Sequence, residues 1–128
     1  MKKKILIVVA SYYENIAKSL LKSAKNKIKN KCSIKVINVP GAFEIPVTIA
    51  KNLNKFNGFI ALGCVIKGQT PHFDFISRAT TDSLMTLSTT SKKPIGNGVI
   101  TCLNMKQAIA RGRKGSEAAE AVLSVLSQ

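Results

Sequence analysis

Residues 59–66 read FIALGCVI, an unbroken apolar run that follows Asn57-Gly58 and leads into Lys67-Gly68. A run of this length between turn-forming residues is typical of a strand that is buried on both faces of a sheet. Residues 5–9 read ILIVV, which is apolar throughout and rich in β-branched side chains. The two runs therefore predict strands in the interior of a sheet whose two faces are both covered.

The remaining segments alternate between helix and strand patterns. Apolar residues recur at helical spacing after the first strand, whereas Ile34 to Val39 alternates in the manner of a strand. We predict strands over residues 5–9, 34–39, 59–66 and 95–101, and helices over residues 15–29, 43–53, 71–90, 104–111 and 116–126. Because strands that alternate with helices form parallel sheets, we expect one α/β domain over residues 1–128. Its predicted architecture is a three-layer α/β/α sandwich of the flavodoxin-like kind, with a four-stranded parallel sheet flanked by helices.

Prolines and glycines influence several of these predicted elements. Pro46 falls in the first turn of the second predicted helix, where a missing N–H group is tolerated. Thr70 is the predicted N-cap of the next helix, with Pro71 as its first residue. Gly96 and Gly98 weaken the prediction of the fourth strand, because glycine is unfavourable inside strands.

The chain is strongly basic, with 20 Lys and Arg, 6 Asp and Glu and a formal net charge of +14. Such a charge suits a phosphorylated substrate, nucleic acid or an anionic membrane surface. The lysines are spread out, however, and aromatic residues make up only 5% of the chain, which makes a poor platform for stacking nucleic-acid bases. We therefore expect most lysines to form a solvated surface, with no nucleic acid and no membrane as partner.

Three cysteines, Cys32, Cys64 and Cys102, lie far apart in the sequence. An odd and unclustered set argues against a disulfide framework and against zinc, which needs several ligands at local spacing. The apolar run over residues 5–10 is too short for a membrane span or for the core of a signal peptide. We expect reduced thiols in a cytoplasmic protein that holds no metal.

The carboxyl ends of the strands are the places to look for a site, since ligands bind there in sheets of this kind. Tyr12 follows the first strand, where its ring can stack on a flat heterocycle or pack against the next helix. After the second strand, Gly41 permits a close approach of the backbone and Ala42 keeps that space open. Glu44 can complement the dipole of the following helix or accept hydrogen bonds from ligand hydroxyls.

The third strand is followed by a turn with the features of a phosphate site. Residues 68–71 read GQTP and lead into a helix, whose first N–H groups and partial positive charge attract an anion. His72, the only histidine, stands in the first turn of that helix. An imidazole transfers protons near neutral pH, so His72 is a candidate for catalysis. A single histidine is more often structural than catalytic, but the position of His72 beside this turn favours neither alternative over the other.

Two longer stretches resemble a known family. Residues 39–46, VPGAFEIP, and residues 61–74, ALGCVIKGQTPHFD, are similar to the two signature stretches of lumazine synthases. The resemblance extends from Ile5 to Leu126, which is nearly the whole chain. It implies a transferase of riboflavin biosynthesis that condenses 5-amino-6-(D-ribitylamino)uracil with 3,4-dihydroxy-2-butanone 4-phosphate. The products are 6,7-dimethyl-8-ribityllumazine, phosphate and water, and the reaction requires no metal or other cofactor.

The resemblance also implies a role for each matching residue. His72 is the expected proton-transfer residue, and Tyr12 is the ring expected to stack on the pyrimidine. The other expected substrate-binding residues contact the ribityl chain (Ala42, Phe43, Glu44), the polar edge of the pyrimidine (Cys64, Val65, Ile66) and the phosphate (Gln69, Thr70, Arg111, with Lys114 close by). Asn97, Arg111 and Lys114 are expected to come from a neighbouring subunit. The implied assembly is a pentamer, which in some members packs into a 60-subunit shell.

Two places depart from the family pattern. Asn97 stands where many members have a second aromatic ring, so its amide can form hydrogen bonds instead of stacking. The segment from Arg111 to Lys114 is several residues shorter than the common pattern, and Arg113 is therefore an alternative to Lys114 as the second basic group. A flavin- or lumazine-binding carrier without catalysis is the rival function. Such a carrier would keep the ring-binding residues but would not need an acid–base group and a phosphate site together.

Overall fold

The computed structural model describes residues 2–128, in which strands and helices alternate along the chain. The elements are β1 (Lys3–Ala10), α1 (Glu14–Ile28), β2 (Cys32–Val39), a 3₁₀ turn (Ala42–Glu44), α2 (Ile45–Lys51), β3 (Gly58–Ile66), α3 (His72–Ser91), β4 (Ile95–Cys102), α4 (Met105–Ala110) and α5 (Lys114–Leu126). All four predicted strands form, and each extends beyond its predicted range by one or two residues at one end or both.

Within the described residues, the strands form one sheet of order β2–β1–β3–β4, in which every neighbouring pair is parallel. β1 and β3 are the inner strands, and they pair from Ile5 opposite Gly58 to Val9 opposite Leu62. Both strands are fully buried over most of their length, which accounts for the unbroken apolar runs. The predicted parallel α/β fold is confirmed.

Helices cover the two faces of this sheet. Leu20 of α1 and Val122 of α5 are buried against one face, and Ile45 of α2 and Leu84 of α3 are buried against the other. Side chains of β1 point to alternate faces, so this strand contributes to both core clusters. Among residues 2–128, no helix combines the length and apolar character that crossing a membrane requires.

The predicted helix over residues 43–53 is wrong at both ends. The chain first forms the 3₁₀ turn, and the α-helix extends only from Ile45 to Lys51, with Pro46 in its first turn. The side chain of Asn52 donates to the carbonyl of Thr48 at 2.8 Å. Such side-chain bonds to the backbone compete with continuation of a helix, which explains why the apolar pattern overestimates its length.

The predicted N-cap of the third helix is wrong by one residue. α3 begins at His72, and Pro71, with φ −71° and ψ 3°, precedes it just outside the helical conformation. The hydroxyl of Thr70 still accepts the N–H of His72, at a long 3.4 Å. Thr70 therefore still contributes to the start of α3, although it lies one residue before the N-cap position.

Glycines in β4 and α5 permit a close approach of backbones. A Cβ atom on Gly96 would lie 2.1 Å from the carbonyl oxygen of Ala118 in α5. A Cβ atom on Gly115 of α5 would lie 2.1 Å from the carbonyl oxygen of Leu20 in α1. Gly96, one of the two glycines that weakened the prediction of the fourth strand, is thus explained by the close packing of α5 on β4, and Gly115 allows the same helix to pack closely on α1.

We predict that Gly115→Ala lowers the free energy of unfolding by about 1–3 kcal/mol, because the added methyl group overpacks against the backbone of α1. The loss is expected even though alanine is the better helix former. Urea unfolding followed by circular dichroism measures it. Gly68→Ala is the matched control, since no atom lies within 4 Å of the added Cβ position. Equal unfolding midpoints for the two variants would contradict the proposed packing constraint.

Candidate active site

A cavity of about 240 Å³ opens at the carboxyl ends of β1 and β3. The helices that follow these neighbouring strands, α1 and α3, lie on opposite faces of the sheet, so the chain segments diverge and leave a crevice between them. The cavity is lined by Tyr12, Tyr13, Gly41, Ala42, Cys64, Val65, Ile66, His72 and Ile76. Six of these are predicted site residues, whereas Tyr13, Gly41 and Ile76 had no ligand-binding role in the prediction.

Two tyrosines form one wall of the cavity. Their ring centroids are 4.9 Å apart and the ring planes meet at 82°, which is an edge-to-face contact. Tyr12 is 76% exposed, whereas Tyr13 is half-buried and packs against the core cluster beneath α1. Burial, followed by the neighbouring Tyr12 and Cys64, raises the pKa of Tyr13, so its phenol keeps its proton at neutral pH. The only sequence signal for Tyr13 is its position next to Tyr12.

The end of β3 supplies the floor of the cavity through Cys64, Val65 and Ile66. All three are partly exposed, whereas the preceding residues of the strand are buried. Burial, with a further contribution from the Cys102 thiol, raises the pKa of Cys64 to about 12. Cys64 is therefore a neutral thiol at physiological pH and a poor nucleophile, because the thiolate is the reactive form.

The turn after β2 is closed by Glu44. Its Oε1 atom accepts the backbone N–H of Gly41 at 2.9 Å, and its main-chain carbonyl accepts the hydroxyl of Thr48 at 2.8 Å. Glu44 thus stabilises the turn that precedes α2 through a capping hydrogen bond. Ala42 lines the cavity, whereas Phe43 is 64% exposed and does not.

His72 is the first residue of α3 and lines the cavity. The preceding turn is anchored by the backbone N–H of Lys67, which donates to the carbonyl of Cys102 at 2.8 Å. Among residues 2–128, the N–H groups of Gly68, Gln69 and Thr70 donate to no protein acceptor. Gln69 and Thr70 are exposed beside the cavity rather than in its wall.

The three residues expected from a neighbouring subunit lie outside the wall of this chain's own cavity. Asn97 lies opposite Ala61, three residues before Cys64, and its side-chain oxygen accepts the N–H of Val99 at 3.0 Å. Arg111 donates to the carbonyl of Thr101 at 3.2 Å at the end of β4. Lys114 lies 3.5 Å from Glu117 in an exposed ion pair, which is of little energetic consequence.

Arg113, the alternative to Lys114, is directed elsewhere. It lines a separate groove between α1 and the α4–α5 turn, together with Ser19 and Lys22. In one chain, therefore, neither Arg113 nor Lys114 reaches the wall of the 240 Å³ cavity.

Comparison with known proteins identifies the family. The family model described as 6,7-dimethyl-8-ribityllumazine synthase matches residues 2–128. The chain belongs to this family. The lumazine synthase of Methylorubrum extorquens (strain PA1) is 41% identical over an alignment that covers 97% of this chain and 79% of the relative. That of Agrobacterium fabrum is 42% identical, with 95% and 91% of the two chains covered.

A solved structure supports the fold alone. The ABC domain in complex with L-Trp from Streptococcus pneumonia matches with a TM-score of 0.51 and 16% sequence identity. The match covers 98% of this chain and 40% of that chain, so it concerns only the α/β arrangement.

Membership of the lumazine synthase family confirms the resemblance that the two signature stretches indicated. It also confirms the expected enzyme class and reaction, a transferase of riboflavin biosynthesis that forms 6,7-dimethyl-8-ribityllumazine. A neutral Cys64 is compatible with this chemistry, because condensation of an amine with a ketone needs no enzyme nucleophile. The roles of individual residues remain predictions.

We predict that Cys64 resists alkylation although it borders an open cavity. With a pKa of about 12, its thiolate fraction at pH 8 is on the order of 10³-fold below that of an ordinary cysteine. Iodoacetamide labelling followed by peptide mass spectrometry measures the modification rate, with the same peptide in urea-unfolded protein as the control. The rate in the folded protein should keep rising with pH above 9. Labelling as fast as in the unfolded chain would show that the thiol is not held neutral.

Proposed function

We propose that this lumazine synthase binds its pyrimidine substrate in the 240 Å³ cavity and its ketose phosphate at the turn over residues 68–71. The observation that carries the proposal is the meeting of an exposed aromatic ring, Tyr12, and the only imidazole, His72, in one cavity at the junction of β1 and β3. We further propose that the chain acts as a single domain. Neither substrate needs a metal or an organic cofactor in this scheme.

The cavity matches a flat polar heterocycle with a hydroxylated tail. The exposed ring of Tyr12 supplies a face for stacking, which is an arrangement that aromatic groups favour. Backbone groups at Cys64, Val65 and Ile66 stand at the partly exposed end of a strand, where they can pair with the polar edge of the pyrimidine. Ala42 leaves room beside them for the ribityl chain, which Phe43 and Glu44 would contact further out.

The turn before α3 is suited to an anion. The unused N–H groups of Gly68, Gln69 and Thr70 precede a 20-residue helix whose amino end carries a partial positive charge. Arg111, from a neighbouring subunit, would add a guanidinium group, which pairs well with phosphate oxygens. The phosphate of the ketose would then be held where it can leave.

His72 lines the cavity and directly follows the turn over residues 68–71, and it would transfer the protons. The pyrimidine amine attacks the ketone carbonyl, water is lost and an imine forms. Phosphate is then eliminated, the ring closes and a second water is lost. Alignment of the two reactants supplies most of the acceleration, since effective molarity is worth roughly 7–11 kcal/mol.

We predict that His72→Ala lowers kcat by about 10²–10⁴-fold without abolishing turnover, because general acid–base catalysis contributes that much and alignment remains. Formation of lumazine from the two substrates, followed by its absorbance, is the assay. His72→Asn is the control that preserves a polar side chain of similar size. Unchanged kcat in both variants would show that His72 has no catalytic role. A wild-type protein that forms no lumazine would refute the proposed function as a whole.

The site would be completed by a second subunit. Asn97, Arg111 and Lys114 lie outside the wall of their own chain's cavity, as expected for residues that serve a neighbour. Two large apolar side chains near the cavity, Phe43 and Phe75, are more than 60% exposed in the single chain, which suits burial in an interface. We propose a homopentamer with one site at each subunit contact, and a 60-subunit shell as a possible higher assembly.

We predict that Arg111→Ala mainly raises the KM of the ketose phosphate. Mixed assemblies give a sharper test of the shared site. When the His72→Ala and Arg111→Ala variants are unfolded together and refolded, about a quarter of the sites should regain both intact groups, because the contact is head-to-tail. Activity above the average of the separately refolded variants is the expected result. Arg111 would belong to its own subunit's site if mixing restored nothing.

A further inference from the structure

The ring proposed to stack on the pyrimidine lacks support from the protein core. Tyr12 is 76% exposed and belongs to neither of the two core clusters. An exposed side chain without a packing partner changes rotamer on the picosecond to nanosecond timescale. A ligand that stacks on it must therefore fix its rotamer, which opposes binding through lost conformational entropy.

Tyr13 has the opposite character. It is half-buried and packs against the core cluster that includes Ile16 and Leu20 of α1. Like any tyrosine its phenol is uncharged at neutral pH, and burial raises its pKa further. The Tyr13 ring is therefore a fixed, neutral surface, and it meets the Tyr12 ring edge-to-face at 4.9 Å.

We propose that Tyr13 is a positioning residue of the lumazine synthase reaction, whose ring holds the Tyr12 ring in the orientation that stacks on the pyrimidine. The proposal rests on the assignment of Tyr12 as the stacking ring. Tyr13 also lines the same cavity as Tyr12 and His72, so the support is built into the wall of the site.

The side chain of Asn97 strengthens this inference. Its oxygen is engaged by the N–H of Val99 on its own strand, and it carries no ring that could hold the pyrimidine from the opposite side. The contact proposed to orient the stacking ring lies within one subunit. Tyr12 and Tyr13 are adjacent in the chain, so the contact forms with the fold and does not require assembly.

The composition of the chain allows a direct test of the positioning role. Tyr12 and Tyr13 are the only tyrosines and the chain has no tryptophan, so in a Tyr13 variant all tyrosine fluorescence comes from Tyr12. Tyr13→Phe keeps the ring contact, whereas Tyr13→Leu removes it and preserves an apolar side chain. Time-resolved fluorescence anisotropy should show a larger sub-nanosecond decay of Tyr12 in Tyr13→Leu than in Tyr13→Phe.

The kinetic consequence should be confined to one substrate. Tyr13→Leu is expected to raise the KM of the pyrimidine by about 2- to 10-fold, the range for an aromatic pair, and to leave the KM of the ketose phosphate unchanged. Tyr13→Phe should behave as wild type. Thermal unfolding establishes that the variants are folded. If Tyr13→Leu does not fold, Tyr13→Met serves as a second variant without a ring.

A double-mutant cycle separates action through Tyr12 from independent contact with the ligand. In a Tyr12→Ala background, Tyr13→Leu should have no further effect on the KM of the pyrimidine. The positioning role would be overturned if the anisotropy decays of Tyr13→Phe and Tyr13→Leu were equal. It would also be overturned if Tyr12→Ala and Tyr13→Leu had multiplicative effects on the KM of the pyrimidine. Either result would leave the proposed function intact. An unchanged KM in Tyr12→Ala would overturn the stacking assignment itself, and this inference with it.

Discussion

The parallel pairing of β1 with β3 is the constraint on which the rest of the structure depends. The two strands are neighbours in the sheet, and both are buried on their two faces. Parallel strands end at the same edge, so the residues that follow Ala10 and Ile66 must emerge side by side. Because the next helices pass to opposite faces, the emerging segments separate and create the cavity instead of filling it.

The same burial determines the chemical character of the cavity. The floor is the end of an apolar strand, which explains why the Cys64 thiol keeps its proton far above neutral pH. A site with a neutral floor, one imidazole and a turn of unused N–H groups has little means of attacking a substrate covalently. It is better suited to aligning two reactants and moving protons between them, which is what the condensation requires.

Close contacts between backbones determine the position of the segment from Arg111 to Lys114, which is proposed to serve the site of a neighbouring subunit. Gly96 and Gly115 let α5 approach β4 and α1 without intervening side chains. This packing fixes where the short segment from Arg111 to Lys114 leaves the domain, and Arg111 is further held by the carbonyl of Thr101. The basic groups are therefore presented at the domain surface, as the proposed shared site requires.

Local signals in the sequence, namely apolar periodicity and turn residues, were enough to predict the strands, the parallel α/β arrangement and the strand ends that carry the candidate site. They did not determine the true length of α2, the reason for the glycines of β4 or the contact between Tyr12 and Tyr13. Each of these depends on which atoms come close once the chain has packed, such as the Ala118 carbonyl above Gly96. These features depend on the tertiary structure, because such interatomic distances cannot be read from the order of the residues.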